Sequence, residues 1–170
     1  KTWLDRTNDA PNEDGYHLNA VVGSAGVIYI VGEAGVAILS RDNGATWQQA
    51  GIDYEGTFFG IFAAANGEFV MATGLRGNTF KTVDAGNTWQ ELHPESNYSL
   101  AAGYAVNDKQ VVLVGAGGAI AVSDDSGQTF TNFTLPSRAA LSSVAVLNNG
   151  HLVLVGQGGV HHFNINADAQ

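Results

Sequence analysis

The sequence has no cysteine among its 170 residues, which removes disulfides and thiolate metal sites from consideration. It has three prolines against 22 glycines, so many tight turns are expected rather than a proline-rich disordered segment. Basic residues are scarce: seven Lys and Arg stand against 16 Asp and Glu, for a formal net charge of −9. Phosphate neutralisation needs clustered Lys and Arg, so nucleic acid is not expected as a partner. The same imbalance argues against adsorption to an anionic membrane. No run is long and apolar enough to span a bilayer, and direct membrane insertion is not expected. No signal peptide is visible, and the abrupt start suggests a processed or trimmed N-terminus. Helical periodicity is absent throughout.

What is present is repetition. Ser40-Arg41-Asp42-Asn43-Gly44-Ala45-Thr46-Trp47 recurs as Thr82-Val83-Asp84-Ala85-Gly86-Asn87-Thr88-Trp89 and as Ser123-Asp124-Asp125-Ser126-Gly127-Gln128-Thr129-Phe130. The shared pattern is [ST]-x-D-x-G-x-T-[WF], at a period of about 41–42 residues. Eight residues ahead of each Ser or Thr begins a G-x-x-G element: Gly32/Gly35, Gly74/Gly77 and Gly115/Gly118, with a fourth at Gly156/Gly159. Ahead of each first Gly runs an apolar segment: Val27–Val31, Phe69–Ala72, Val111–Val114 and Leu152–Val155. Such near-continuous runs read as strands buried on both faces.

A second short strand precedes each of these, across turn-forming Gly, Asn and Asp residues. The G-x-x-G element leads into a third strand, and the Asp phrase turns the chain into a fourth. Four-stranded antiparallel units at this period predict an all-β β-propeller with four repeats in the chain. The expected blades are 18–53, 58–93, 99–134, and 140–166 plus 1–4. The fourth repeat lacks a fourth strand, with Asn164 and Asn166 where the other copies have Ser/Thr and Asp. Thr2-Trp3-Leu4 reads as the tail of an Asp phrase without its beginning. Pairing of Thr2–Leu4 beside Val160–Ile165 would close the last blade and the ring; a cut through a longer propeller is the alternative.

The fixed residues of the phrase have turn-forming roles. Asp accepts backbone N–H bonds within a tight turn, Gly adopts positive φ, the hydroxyls add local bonds, and Trp or Phe anchors the outer edge of the blade. A structural role is therefore expected for Ser40, Asp42, Gly44, Thr46 and Trp47. The same holds for Thr82, Asp84, Gly86, Thr88 and Trp89, and for Ser123, Asp125, Gly127, Thr129 and Phe130.

This pattern resembles the Asp-box, or bacterial neuraminidase repeat, over nearly the whole chain. The spelling V-G-x-x-G followed by the phrase, as in Val31–Trp47 and Val114–Phe130, is most similar to the photosystem II assembly/stability factor family of propellers. The resemblance implies a non-catalytic scaffold, exported or periplasmic, that binds a protein client through an arginine-rich face. Only Arg76 and Arg138 can contribute to such a face here.

Catalysis finds little support in the residues. A sialidase needs an arginine cluster, and only Arg6, Arg41, Arg76 and Arg138 exist. Glu33, Asp53, Glu55, Glu91 and Glu95 lie where a glycosidase pair would be sought, but no spacing selects two of them. His161-His162 are adjacent on a strand and point to opposite faces, so a shared metal is not expected. Asp124-Asp125 reads as a turn pair, and G-x-x-G lacks the following helix of a phosphate cradle. Tyr29, Phe59, Phe62 and Phe69 are read as core. No cofactor, metal or catalytic residue is assigned.

Binding is expected on the face carrying the G-x-x-G turns and the inter-blade linkers, opposite the Asp phrases. The candidates are Glu33, Arg76 and Gln157 from the turns, and Tyr16, Tyr54, Tyr98 and Arg138 from the linkers. A protein client is the primary partner. The alternatives are carbohydrate, in a fragment of a glycoside hydrolase, and a second copy, in a self-assembling unit whose homodimer makes an eight-bladed ring.

Overall fold

Short β-branched runs separated by glycine turns favour hairpins over helices, and hairpins in series build the molecule. The computed structural model describes residues 5–6, 9–147 and 151–165. Blade 1 comprises β1 (Leu18–Ser24), β2 (Val27–Gly32), β3 (Ala37–Ser40) and β4 (Gln48–Gln49). Blade 2 comprises β5 (Phe58–Ala63), β6 (Val70–Gly74), β7 (Thr79–Thr82) and β8 (Gln90–Leu92). Blade 3 comprises β9 (Leu100–Ala105), β10 (Val111–Gly115), β11 (Ala119–Ser123) and β12 (Thr131–Thr134). Blade 4 comprises β13 (Leu141–Val146), β14 (His151–Gly156) and β15 (Gly159–Asn164). Within each blade the strands pair antiparallel in sequence order, and no α-helix occurs among the described residues.

Each blade presents a rear face to its predecessor and a forward face to its successor. The core consists of the seams between them. Tyr29, Val31 and Leu39 of blade 1 meet Phe58, Ala72 and Phe80 of blade 2. Phe62, Phe69 and Met71 of blade 2 meet Leu100, Leu113 and Ala121 of blade 3. Val112, Val114 and Ile120 of blade 3 meet Leu141, Leu154 and Phe163 of blade 4. Each large side chain so buried stabilises by about 1.5–3 kcal/mol relative to exposure.

Packing runs in chain order through the first strands, β1 on β5, β5 on β9 and β9 on β13; among the described residues nothing of comparable extent joins β13 to β1. The blades therefore form an arc that is not closed. The fourth strand expected from Thr2–Leu4 lies outside the described residues.

Three expectations need correction. The second strands are not all buried on both faces: β6 and β10 are buried at every residue, whereas β2 and β14 alternate. Among the described residues, blades 1 and 4 have a neighbouring blade on one side only. Phe59 is not core, because a bulge between Phe58 and Gly60 turns it outward and leaves it exposed. The fourth G-x-x-G also turns more tightly than the others. Gly156 pairs directly with Gly159, and Val155 pairs with Val160. In blade 1, by contrast, Val31 pairs with Ala37. Blade 4 thus saves one residue at the turn, which places Phe163, rather than Asn164, at the pairing position of Ser40.

Candidate functional site

The three Asp phrases fold identically. The buried Ser40, Thr82 and Ser123 hydroxyls donate to Asp Oδ1 at 2.7–2.8 Å and accept from the N–H of Gly44, Gly86 and Gly127 at 2.8–2.9 Å. The N–H of Thr46, Thr88 and Thr129 donates to the same Oδ1 at 2.8–2.9 Å, and each Thr hydroxyl donates to Oδ2 at 2.6 Å. The residue before each Gly also has positive φ: Asn43, Ala85 and Ser126 at 58°, 59° and 61°.

These bonds, the Thr hydroxyl first, then the Thr N–H and the Ser or Thr hydroxyl, hold Asp42, Asp84 and Asp125 down at a pKa of about 2. A carboxyl kept ionised in this way is a poor general acid near neutrality. The phrase aromatics reach across a seam rather than under an outer edge. Trp89 meets Tyr29 edge-on at 6.1 Å, and Phe130 packs on the seam between blades 2 and 3. Trp47 is half-buried. On this side Lys81 also crosses a seam, donating to the Ser126 carbonyl at 2.8 Å above the Phe69 ring.

The G-x-x-G turns are tied to the linkers on the opposite side. The N–H groups of Glu33, Leu75, Ala116 and Gln157 donate to the carbonyls of His17, Thr57, Ser99 and Ala140 at 2.8–3.0 Å. Each linker carbonyl lies where a Cβ on the first Gly would be, so Gly32, Gly74, Gly115 and Gly156 are required for close approach. One surface is thereby assembled from eight separate segments.

On that surface Tyr16, Tyr98, Arg76, Arg138 and Gln157 are exposed. Arg76 and Arg138 have positive φ, 55° and 53°, an unusual backbone state for a long side chain. Tyr98 lies over the turn at Gly117, where a Cβ would strike its ring. Glu33 is half-buried; it accepts from the His17 N–H at 3.1 Å and faces His17 Nδ1 at 3.2 Å. The His17 N–H, followed by its side chain, lowers the Glu33 pKa.

Tyr54 is the exception among the candidates. Its ring packs inward on Phe58 and Phe80 at 4.8 and 5.3 Å, and burial raises its pKa. It supports the face from below and is not a surface anchor. The Gly35 N–H bond to the Gly56 carbonyl (2.8 Å) draws its linker toward blade 1.

Two pockets with matching construction open beside the exposed tyrosines. In the first, of about 390 Å³, Gln49 of β4 donates to the Pro11 carbonyl at 3.2 Å, while Asn12 holds Tyr16 through two backbone bonds. In the second, of about 170 Å³, Asn132 of β12 donates to the Pro94 carbonyl at 2.7 Å beside Tyr98. Between them a pocket of about 340 Å³ brings Arg76 together with Glu91 and Glu95. Gln49, Asn132, Pro11 and Pro94 were not singled out by the sequence. The only signal was an amide-bearing residue on the fourth strand and a proline in the linker, both too common to be read. His161 bonds the Gln157 carbonyl at 3.0 Å, and His162 is exposed on the other side of the strand.

Solved structures resemble this arrangement. A YCF48 bound to a D1 peptide matches with a TM-score of 0.70 at 18% identity, covering 88% of this chain and 52% of that one. YCF48 from Cyanidioschyzon merolae matches at 0.67 and 17%, covering 89% and 54%. An ancestral GH74 enzyme matches at 0.72 and 18%, covering 87% and 23%. At such identities the likeness concerns the fold. In sequence, the photosystem II assembly lipoprotein Ycf48 of Synechococcus sp. (strain CC9902) is 31% identical over 108 residues, which are 62% of this chain and 30% of that protein. The chain thus spans less than a third of this relative and about half of the two YCF48 structures. The family model for photosynthesis system II assembly factor YCF48 matches residues 1–102, more than half of the chain, and the protein belongs to that family.

Proposed function

We propose that this chain is a non-catalytic, protein-binding part of an assembly or stability factor acting outside the cytoplasm. The observation that carries this reading is the linker face, where Tyr16, Tyr98, Arg76 and Arg138 project from backbone pinned by turn–linker hydrogen bonds. Exposed aromatic and arginine side chains on a rigid frame lose little entropy on docking, which suits them as anchors. The Asp-box carboxylates, by contrast, are committed to their own turns. A YCF48 of the same fold is known bound to a D1 peptide, which makes a peptide the client form to test first. The lipoprotein relative supports an exported location, held near a membrane or in the periplasm.

The test is fluorescence anisotropy with labelled D1 peptide. Saturable binding that weakens at least tenfold in the Arg76→Glu/Arg138→Glu double variant is the expected result. Binding that is absent, or indifferent to both charges, would reject this face. The GH74 likeness gives the carbohydrate reading its one support, and Glu91 and Glu95 at one pocket are the acids to examine. Release of product from a chromogenic glycoside panel, lost in Glu91→Gln, would replace the scaffold reading with that one.

A further inference from the structure

Charge is unevenly spread over the linker face. The linker into blade 1 carries Glu13 and Asp14, the linker into blade 2 carries Asp53 and Glu55, and neither 9–17 nor 51–57 contains a Lys or Arg. All four acids are exposed and have no hydrogen bond or ion pair among the described residues. Arg6, the cation nearest Glu13 in sequence, is paired with Asp9 and reaches the Ala45 carbonyl. The linker into blade 4 is the reverse: 135–140 holds Arg138 and no acid. Blades pack in chain order, so the face runs from acidic at blades 1 and 2 to basic at Arg138. Between these ends Arg76 stands with Glu91 and Glu95 in a pocket of mixed sign. Each end also has an exposed tyrosine. Tyr16 lines the pocket of about 390 Å³ together with Glu13, Asp14, Gly35 and Gln49. The backbone of Tyr54 and Glu55 closes on the same Gly35, so both acidic linkers meet at that turn. At the other end Tyr98 covers Gly117, and the Arg138 backbone lies against Gly118.

We infer that the Tyr16 pocket seats a Lys or Arg side chain of an extended client peptide, which fixes the sense in which the client lies along the arc: basic end at blade 1, acidic end at Arg138. This rests on the client-binding reading and adds to it the charge and the orientation of the client. The pocket supplies what a cationic side chain needs. An aromatic ring attracts a cation through its quadrupole. Two carboxylates without partners add charge-assisted acceptors. Gln49 has its amide nitrogen on the Pro11 carbonyl, and its side-chain oxygen remains an acceptor. An acidic client side chain is repelled from the same place, so orientation is set by exclusion as well as by attraction.

The experiment is fluorescence anisotropy at low ionic strength with two labelled peptides of one composition, each of about 20 residues and so up to about 70 Å long when extended. One has its Lys and Arg at one end and its Asp and Glu at the other; in the second the charges alternate. The block peptide should bind about tenfold tighter. That advantage should disappear in Glu13→Lys/Asp14→Lys, whose positions are exposed and without partners, with circular dichroism checking the fold. On the unmodified protein, a photocrosslinker at the basic end of the block peptide should attach within 11–16 or 34–36, and one at the acidic end at Tyr98 or within 135–138. Equal affinity of the two peptides, an advantage that survives the double substitution in a folded variant, or basic-end crosslinks at Arg138 would overturn the assignment. The D1 peptide is measured alongside. If it binds and responds to Arg76→Glu/Arg138→Glu while the two designed peptides do not differ, the client-binding reading stands and the seat for a basic side chain falls. If no peptide binds, both fall.

Discussion

Blades 2 and 3 and blades 1 and 4 are written in the same residues but buried differently. Val-Met-Ala-Thr in β6 and Val-Val-Leu-Val in β10 are enclosed on both faces. Val-Ile-Tyr-Ile-Val in β2 and Leu-Val-Leu-Val in β14 are as apolar, yet alternate residues are half-open. Composition does not separate the two pairs; the presence of a neighbour does. A strand interior is buried when something packs on it, and a repeat protein provides that something from the next repeat. Among the described residues, the outer faces of β2 and β14 carry apolar side chains with no neighbouring blade packed on them.

The sharpest way to break this comparison is to truncate equivalent strands. Leu113→Ala, in the fully enclosed β10, should cost about 2–5 kcal/mol in chemical denaturation. Val155→Ala, in the half-open β14, should cost less than about 1 kcal/mol. Equal losses would mean that the end blade is as well packed as the middle one.

The next effect tests the phrases, whose hydrogen bonds in the end blade 1 match those in the internal blades 2 and 3. Thr82→Val keeps the shape but leaves the buried Gly86 N–H without its acceptor, for a loss of about 1–3 kcal/mol. Ser40→Ala in blade 1 should cost a similar amount, since its bonds have the same lengths. A much smaller cost in blade 1 would show that the turn depends on a seam.

Acid should act on the phrases of blades 1, 2 and 3 together. Asp42, Asp84 and Asp125 have folded values of about 2, below the ordinary 3.8. Their stabilisation is complete above pH 4 and is lost as pH falls through about 2. Asp84→Asn should flatten part of that decline in a melting series between pH 5 and 2; an unchanged slope would remove the carboxylate from the account. The smallest effect belongs to the linker face, where Arg76→Glu and Arg138→Glu should each shift stability by no more than about 0.5 kcal/mol. A larger loss would mark them as parts of the scaffold.

How far the face was legible follows from the range of the interactions. Tyr16, Tyr54 and Tyr98 look alike as linker tyrosines, and Arg76 and Arg138 look like isolated surface charges. Only packing separates Tyr54, drawn onto Phe58 and Phe80, from Tyr98, which rests on Gly117 in view of solvent. Gln49 and Pro11 meet across 38 positions, as do Asn132 and Pro94, and no local pattern announces either pair.

The sequence by itself determined the hairpins, the period and the Asp turns, because each depends on residues a few positions apart: a hydroxyl, a carboxylate and a glycine that satisfy one another within eight residues. It also determined where glycine must stand, although only the structure showed that the first Gly of each G-x-x-G yields to a linker carbonyl. The tertiary structure alone decided which apolar faces are covered, which tyrosine is an anchor and how blade 4 turns. Those outcomes depend on contacts between blades, and a blade's residues carry no record of whether the next blade is there.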